Sequence, residues 1–156
     1  MNKVIVKDRG WRRIRMNIKD MGYIHVDVGI QDDAPPYNKD GKSVPLPKVA
    51  IWNEYGTEDA PARPFMRKTA RDSLLDLREL VARCVDMVIR GNTTARGAMQ
   101  RVGNFYKKAI IATIDSSPSW AVPNALRTIA KKGSAHPLID TEHMKSHISF
   151  KMRGKK

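Results

Sequence analysis

The sequence predicts an α+β domain, in which a small antiparallel sheet packs against a long two-helix hairpin, with a long Pro-rich loop. Three observations carry this expectation. Ile24, Val26, Val28 and Ile30 alternate with Tyr23, His25, Asp27 and Gly29. That is the pattern of a strand with one buried face. Leu74, Leu77, Val81, Cys84, Val85 and Val88 recur at helical spacing within a stretch from Phe65 to Arg90, and a second helical pattern fills Ala95 to Asp115. Ile148, Phe150 and Met152 alternate again near the end, so a strand over Ile148–Met152 is placed to pair with Ile24–Ile30. Residues 1–156 read as a single domain.

The elements follow in order. Val4, Ile5 and Val6 form a short apolar run, a candidate strand. Trp11, Ile14 and Ile18 recur at helical spacing with arginines between them, a short amphipathic helix with Trp11 as its anchor. Gln31 to Pro47 reads as an extended loop, with Pro35, Pro36, Pro45 and Pro47 among Asp32, Asp33, Asn38, Asp40 and Gly41. Its acidic residues lack the order and the terminal glutamate of a calcium loop. Phe65–Arg90 is the dominant helix, with Leu75, Leu80, Met87 and Ile89 widening its apolar arc. Gly91 and Asn92 end it, and Thr93 or Thr94 caps the next helix. Gly97 and Gly103 permit close approach of a neighbour. Ser116, Ser117 and Pro118 break the pattern. Asn124 is placed to cap a short helix from Ala125 to Lys132, closed by Gly133. A turn over Pro137–Thr141 follows, with Asp140 or Thr141 capping one more helical turn. The basic tail, 153–156, is expected to fray.

Composition narrows the function. The chain carries a formal net charge of +13 and a pI of about 10.1. Such a balance favours polyanions or acidic protein surfaces as partners. Aromatic residues are only 6 % of the chain, too few for a stacking platform for single strands. One cysteine, Cys84, excludes a disulfide framework within the chain; among Val81, Val85 and Val88 it reads as a buried small hydrophobe. No apolar run is long enough to span a bilayer, and no secretory signal is visible. His143 and His147 share a helical face with Asp140, but the H-E-x-x-H arrangement is absent and a metal site is not expected. No nucleophile–base grouping and no phosphate-cradling glycine motif is present. An enzyme is therefore not expected, and no cofactor is implied.

The stretch Val49–Arg67 organises the rest. An apolar segment with Val49, Ala50, Ile51 and Trp52 stops at Gly56, which suits a helix C-terminus. Pro61 and Pro64 stiffen the connector, and Pro64 suits the start of the helix at Phe65. Taken alone, aromatic residues beside prolines favour a structural joint over a contact surface. Asn53-Glu54-Tyr55-Gly56-Thr57 followed by Pro61-Ala62-Arg63-Pro64-Phe65-Met66-Arg67 resembles the N-E-[FY]-G-T … P-x-R-P-F-[LM]-R signature of small virion proteins of tailed bacteriophages and prophages. A second block, Lys131-Lys132-Gly133-Ser134, Pro137-Leu138-Ile139-Asp140-Thr141 and Ile148-Ser149-Phe150, is similar to that family's R-K-G-S-x-x-P-L-I-D-T-G … S-I-x-[YF] ending. Asn124 with Thr128 and Ile129 is similar to a further run between them. The resemblance spans roughly residues 24–152. Glu142 stands where the family usually has Gly, and His147 where it usually has Ser.

The resemblance implies a tail-completion, neck or minor tail protein. Such a protein acts structurally at the head–tail junction, in the virion, after assembly in the host bacterial cytoplasm. Its implied partners are further copies of itself in a ring, sixfold if it matches a sixfold tail tube. Connector or neck proteins and tail-tube or tail-terminator proteins are the others, with transient contact with phage DNA and none with a membrane. Trp52, Tyr55, Arg63, Phe65 and Arg67 are the candidate residues of the inter-element or inter-subunit joint, and the Gln31–Pro47 loop would be a reaching arm. The alternative, from charge alone, is a basic nucleic-acid-binding protein of the same mobile element.

Overall fold

The computed structural model describes residues 9–39 and 41–154. The run Val4–Val6 and the last two lysines lie outside them. The expected sheet is present. β1 (His25–Ile30) and β4 (Ile148–Arg153) pair antiparallel, with Val28 opposite Phe150 and His25 opposite Arg153. Arg153 is therefore the last residue of a strand, not part of a frayed tail, and its Nε lies 2.6 Å from the Asp27 carboxylate. Ladder pairing and a cross-strand ion pair hold it.

α5 (Ala95–Asp115) is the central element, with the sheet on one side of it. Thr94 caps its start, its hydroxyl accepting from Gly97 N at 3.1 Å. Gly103 is buried against the sheet, where an added Cβ would lie 2.6 Å from the Phe150 ring. The close approach anticipated for this glycine is thus made to β4.

The dominant helix is two helices. α3 (Phe65–Asp72) and α4 (Leu74–Ile89) meet at Ser73, whose φ and ψ of −96° and 9° leave the helical region. Its hydroxyl donates to the Thr69 carbonyl at 2.6 Å. A serine bonding back to i−4 bends a helix at that point. α3 packs on α5 beside Phe65, and α4 packs on α5 beside Cys84. α1 (Trp11–Met21) lies against both α4 and α5. Trp11 is not its anchor. The tryptophan sits exposed at the first residue of the helix, and Met21 at the other end reaches the Cys84 cluster.

The expected Pro-rich loop is largely structured. β2 (Tyr37–Lys39) and β3 (Lys42–Val44) form a hairpin, and α2 (Leu46–Tyr55) begins inside the stretch read as loop. Gly41, at φ +73°, supplies the backbone shape a tight hairpin needs. The segment is also tied down. Asp33 pairs with Lys151 at 2.8 Å, and Nε2 of His143 donates to the Pro35 carbonyl at 3.2 Å. Tyr37 hydrogen-bonds Asp140. It is a strap on the body and not a reaching arm.

After α5, a short helical turn (Ser117–Ser119) leads to α6 (Leu126–Lys132) and then α7 (His143–Ser146). Neither has a side-chain cap. The N-cap position of α6 falls on Ala125 and not on Asn124, and α7 is entered through Glu142 rather than capped by Asp140 or Thr141.

Candidate functional site

The N-E-Y-G-T and P-A-R-P-F-M-R segments form one hydrogen-bonded joint between α2 and α3. α3 begins after Pro64 with no capping side chain of its own. The carboxylate of Glu54, buried on the last turn of α2, fills that role from outside. It accepts from the backbone N–H of Met66 at 2.8 Å and of Arg67 at 3.1 Å. A negative charge there satisfies orphan N–H groups and the positive end of the helix together. The same carboxylate accepts from Arg67 Nε at 2.9 Å, and Arg67 Nη2 donates to the Glu54 carbonyl at 2.8 Å. The Arg67 guanidinium lies 4.8 Å from the centre of the Tyr55 ring. Between the helices, Arg63 N donates to the Asn53 carbonyl at 2.7 Å. Gly56 sits at φ +80°, and a Cβ there would lie 2.8 Å from Ala62 N.

Arg63 carries the joint to the second motif block. Its Nε donates to the Val122 carbonyl at 2.8 Å, and its Nη2 to the Pro123 carbonyl at 3.3 Å and to Asn124 Oδ1 at 3.1 Å. Asn124 Nδ2 then donates to the carbonyls of Ala135 and His136, both at 3.2 Å. Lys132 also donates to His136 O, and Ser117 Oγ donates to the Pro137 carbonyl at 2.8 Å. Asn124 is thus a bridge, not a helix cap. Burial lowers the pKa of the Arg63 guanidinium from its ordinary value, yet an arginine stays charged in any protein at neutral pH.

A cavity of about 530 Å³ opens where the two blocks meet. Val49, Leu138 and Met144 give it apolar surface. Arg63, Arg127, Lys131 and Lys132 line it, with Asp140 and Glu142 also on its wall.

The five residues singled out from the sequence separate into two groups. Phe65, 1 % exposed, is the centre of the main core, and Arg63, 9 % exposed, is buried in the joint with one edge on the cavity wall. Trp52, Tyr55 and Arg67 face solvent on one surface of the α2–α3 joint. Trp52 and Tyr55 each have a cation over the ring, Lys48 at 5.2 Å and Arg67 at 4.8 Å. Ile51 is exposed beside them. Glu54 and Asn124 are the residues that sequence reasoning missed as organisers. A signal for Glu54 was present: an acidic residue inside the motif, ahead of a helix whose start has no capping side chain.

The histidines do not converge on a metal. His147 Nδ1 is turned to the His143 carbonyl at 2.7 Å, and among the described residues no group of three His, Cys, Asp or Glu is arranged to hold an ion. No described helix is long and apolar enough to cross a membrane. Set against protein-family models, curated proteins and solved structures, the chain matches none of them.

Proposed function

We propose that this chain is a structural virion protein of a tailed phage or prophage, acting at the head–tail junction in tail completion and head–tail joining through ring assembly. The observation that carries the reading is the way its two virion-type motif blocks are used. Glu54 ties the two halves of the first block together, and Arg63 and Asn124 link that block to the second by hydrogen bonds. A motif spent on fixing the relative placement of elements suits a part whose work is shape-matched binding. The exposed face of the α2–α3 joint, Ile51, Trp52 and Tyr55 with Lys48 and Arg67, combines apolar area with positive charge. Tyrosine, tryptophan and arginine are the residue types that dominate protein interfaces. We assign this face to contact with a further copy or with a connector, tail-tube or tail-terminator protein.

The test is the mass of the purified protein by light scattering across ionic strength, with duplex-DNA binding and joining to purified tails or connectors measured on the same samples. A closed ring, or a monomer that joins virion parts and ignores DNA, is the expected result. A monomer that binds duplex DNA with a steep salt dependence and joins nothing would replace this reading with nucleic-acid binding.

A further inference from the structure

The cavity between the motif blocks has a chemistry that the assembly role does not use. Arg63 is the starting point. Each hydrogen bond that its guanidinium donates goes to a neutral oxygen, and among the described residues no carboxylate lies within 4.0 Å of it. Nε and Nη2 are occupied, which leaves the N–H groups of Nη1. No buried side-chain nitrogen among the described residues lacks a partner, so Nη1 reaches solvent. A guanidinium held this rigidly, with a free pair of donors and its charge unmatched, is prepared for a carboxylate.

The surroundings repeat the preference. α6 adds Arg127, which makes no hydrogen bond or ion pair with any described residue; Lys131 and Lys132 share that wall but are already engaged, Lys132 with the His136 carbonyl. The acidic groups on the cavity wall are already engaged. Asp140 accepts from the Tyr37 hydroxyl, and Glu142 accepts from Lys145 at 3.1 Å. Apolar surface from Val49, Leu138 and Met144 completes the lining. A volume of about 530 Å³ falls within the range of small ligand sites. A nucleic-acid backbone would leave the apolar surface of Val49, Leu138 and Met144 without a matching group. A single carboxylate beside an apolar side chain matches both the cationic wall and the apolar surface.

We infer that this cavity is a peptide-binding site for a short acidic segment of another protein. One carboxylate of the segment pairs with Arg63 and Arg127, and a neighbouring apolar side chain rests on Val49, Leu138 and Met144. The inference goes beyond the proposed virion role, since the site is complete within one chain and its occupancy requires no ring.

The experiment uses the full-length protein with labelled methyl groups and two probes, acetyl-Leu-Asp-Leu-amide and its Asn counterpart. Saturable NMR shifts at Leu138 and Met144 are expected with the Asp peptide, and affinity at least about tenfold weaker with the Asn peptide. R127Q, on an exposed position of α6, is expected to weaken the Asp peptide by a similar factor with an unchanged spectrum elsewhere. Arg63→Gln is the less useful variant, since it also cuts the link to Asn124. Equal binding of the two peptides, shifts confined to other regions, no shifts at millimolar peptide, or indifference to R127Q would each overturn the site.

Discussion

Around Phe65 the chain packs Leu46, Ile110, Ile114, Met144 and Ile148, drawn from four further elements, and encloses them with the hydrogen bonds of Glu54 and Arg63. Around Cys84 it packs Val88 and Ala98, with Met21, Leu80 and Val102 at the edge, and the Cys84 thiol donates to the Ala98 carbonyl at 3.7 Å. The first region joins distant parts of the sequence; the second joins neighbouring helices and α1. α4 also leaves Leu74, Leu75, Val81 and Ile89 exposed. The contrast teaches that stability and the long-range order of the motif blocks are concentrated at the Phe65 end. The Cys84 end adds mainly local helix packing.

Phe65→Ala gives the largest expected effect. A fully buried ring lost from the main core costs about 4 kcal/mol by the usual cost of such truncations. Val88→Ala, the equivalent truncation in the other cluster, is expected to cost about 2 kcal/mol. Urea denaturation of both variants checks the order. Combined, the two costs should add to within about 0.5 kcal/mol, because the clusters share no residue. A larger loss from Val88, or strong coupling between the two, would break the comparison.

Glu54→Ala falls between them. It leaves the Met66 and Arg67 N–H groups without their acceptor and Arg67 without its carboxylate, and about 3 kcal/mol is expected for a buried charged acceptor. Glu54→Gln keeps an acceptor oxygen and loses the charge, so it should retain roughly half of that. Equal loss from both would mean that charge, and not hydrogen bonding, fixes the start of α3. Denaturation midpoints and amide-exchange protection at Met66 and Arg67 separate the cases.

The strand pairing and the long helices were legible because period-two and helical patterns report burial directly. What escaped has local physical causes. The kink at Ser73 depends on one hydroxyl finding the Thr69 carbonyl, while the apolar spacing runs on through it. The β2–β3 hairpin was hidden by the prolines around it, although Asp40-Gly41 is a turn signal. Asn124 has the chemistry of a cap, and only the tertiary position of Arg63 and His136 made it a bridge. The motif around Phe65 was read as a joint packed on the core, which is how its interior is built. The role of Glu54 needed the spatial neighbourhood of α3. The cavity could not be foreseen, because its walls come from segments far apart in the chain.

The smallest expected effect tests the cost at which the Phe65 end is closed. Glu142 leads into α7 at φ +57°, a left-handed conformation, at a position where the resembled family usually carries Gly. Glu142→Gly removes a left-handed penalty of roughly 1–2 kcal/mol. Against it stand the greater freedom of Gly in the unfolded chain, about 0.5–1 kcal/mol, and the loss of a solvent-screened pair with Lys145. The balance favours the variant by about 0.5 kcal/mol. Glu142→Ala is the control, since it loses the pair and keeps the strain, and it should be less stable than the wild type. If Ala proves as stable as Gly, the left-handed turn is not strained, and closure of this end costs nothing in backbone energy.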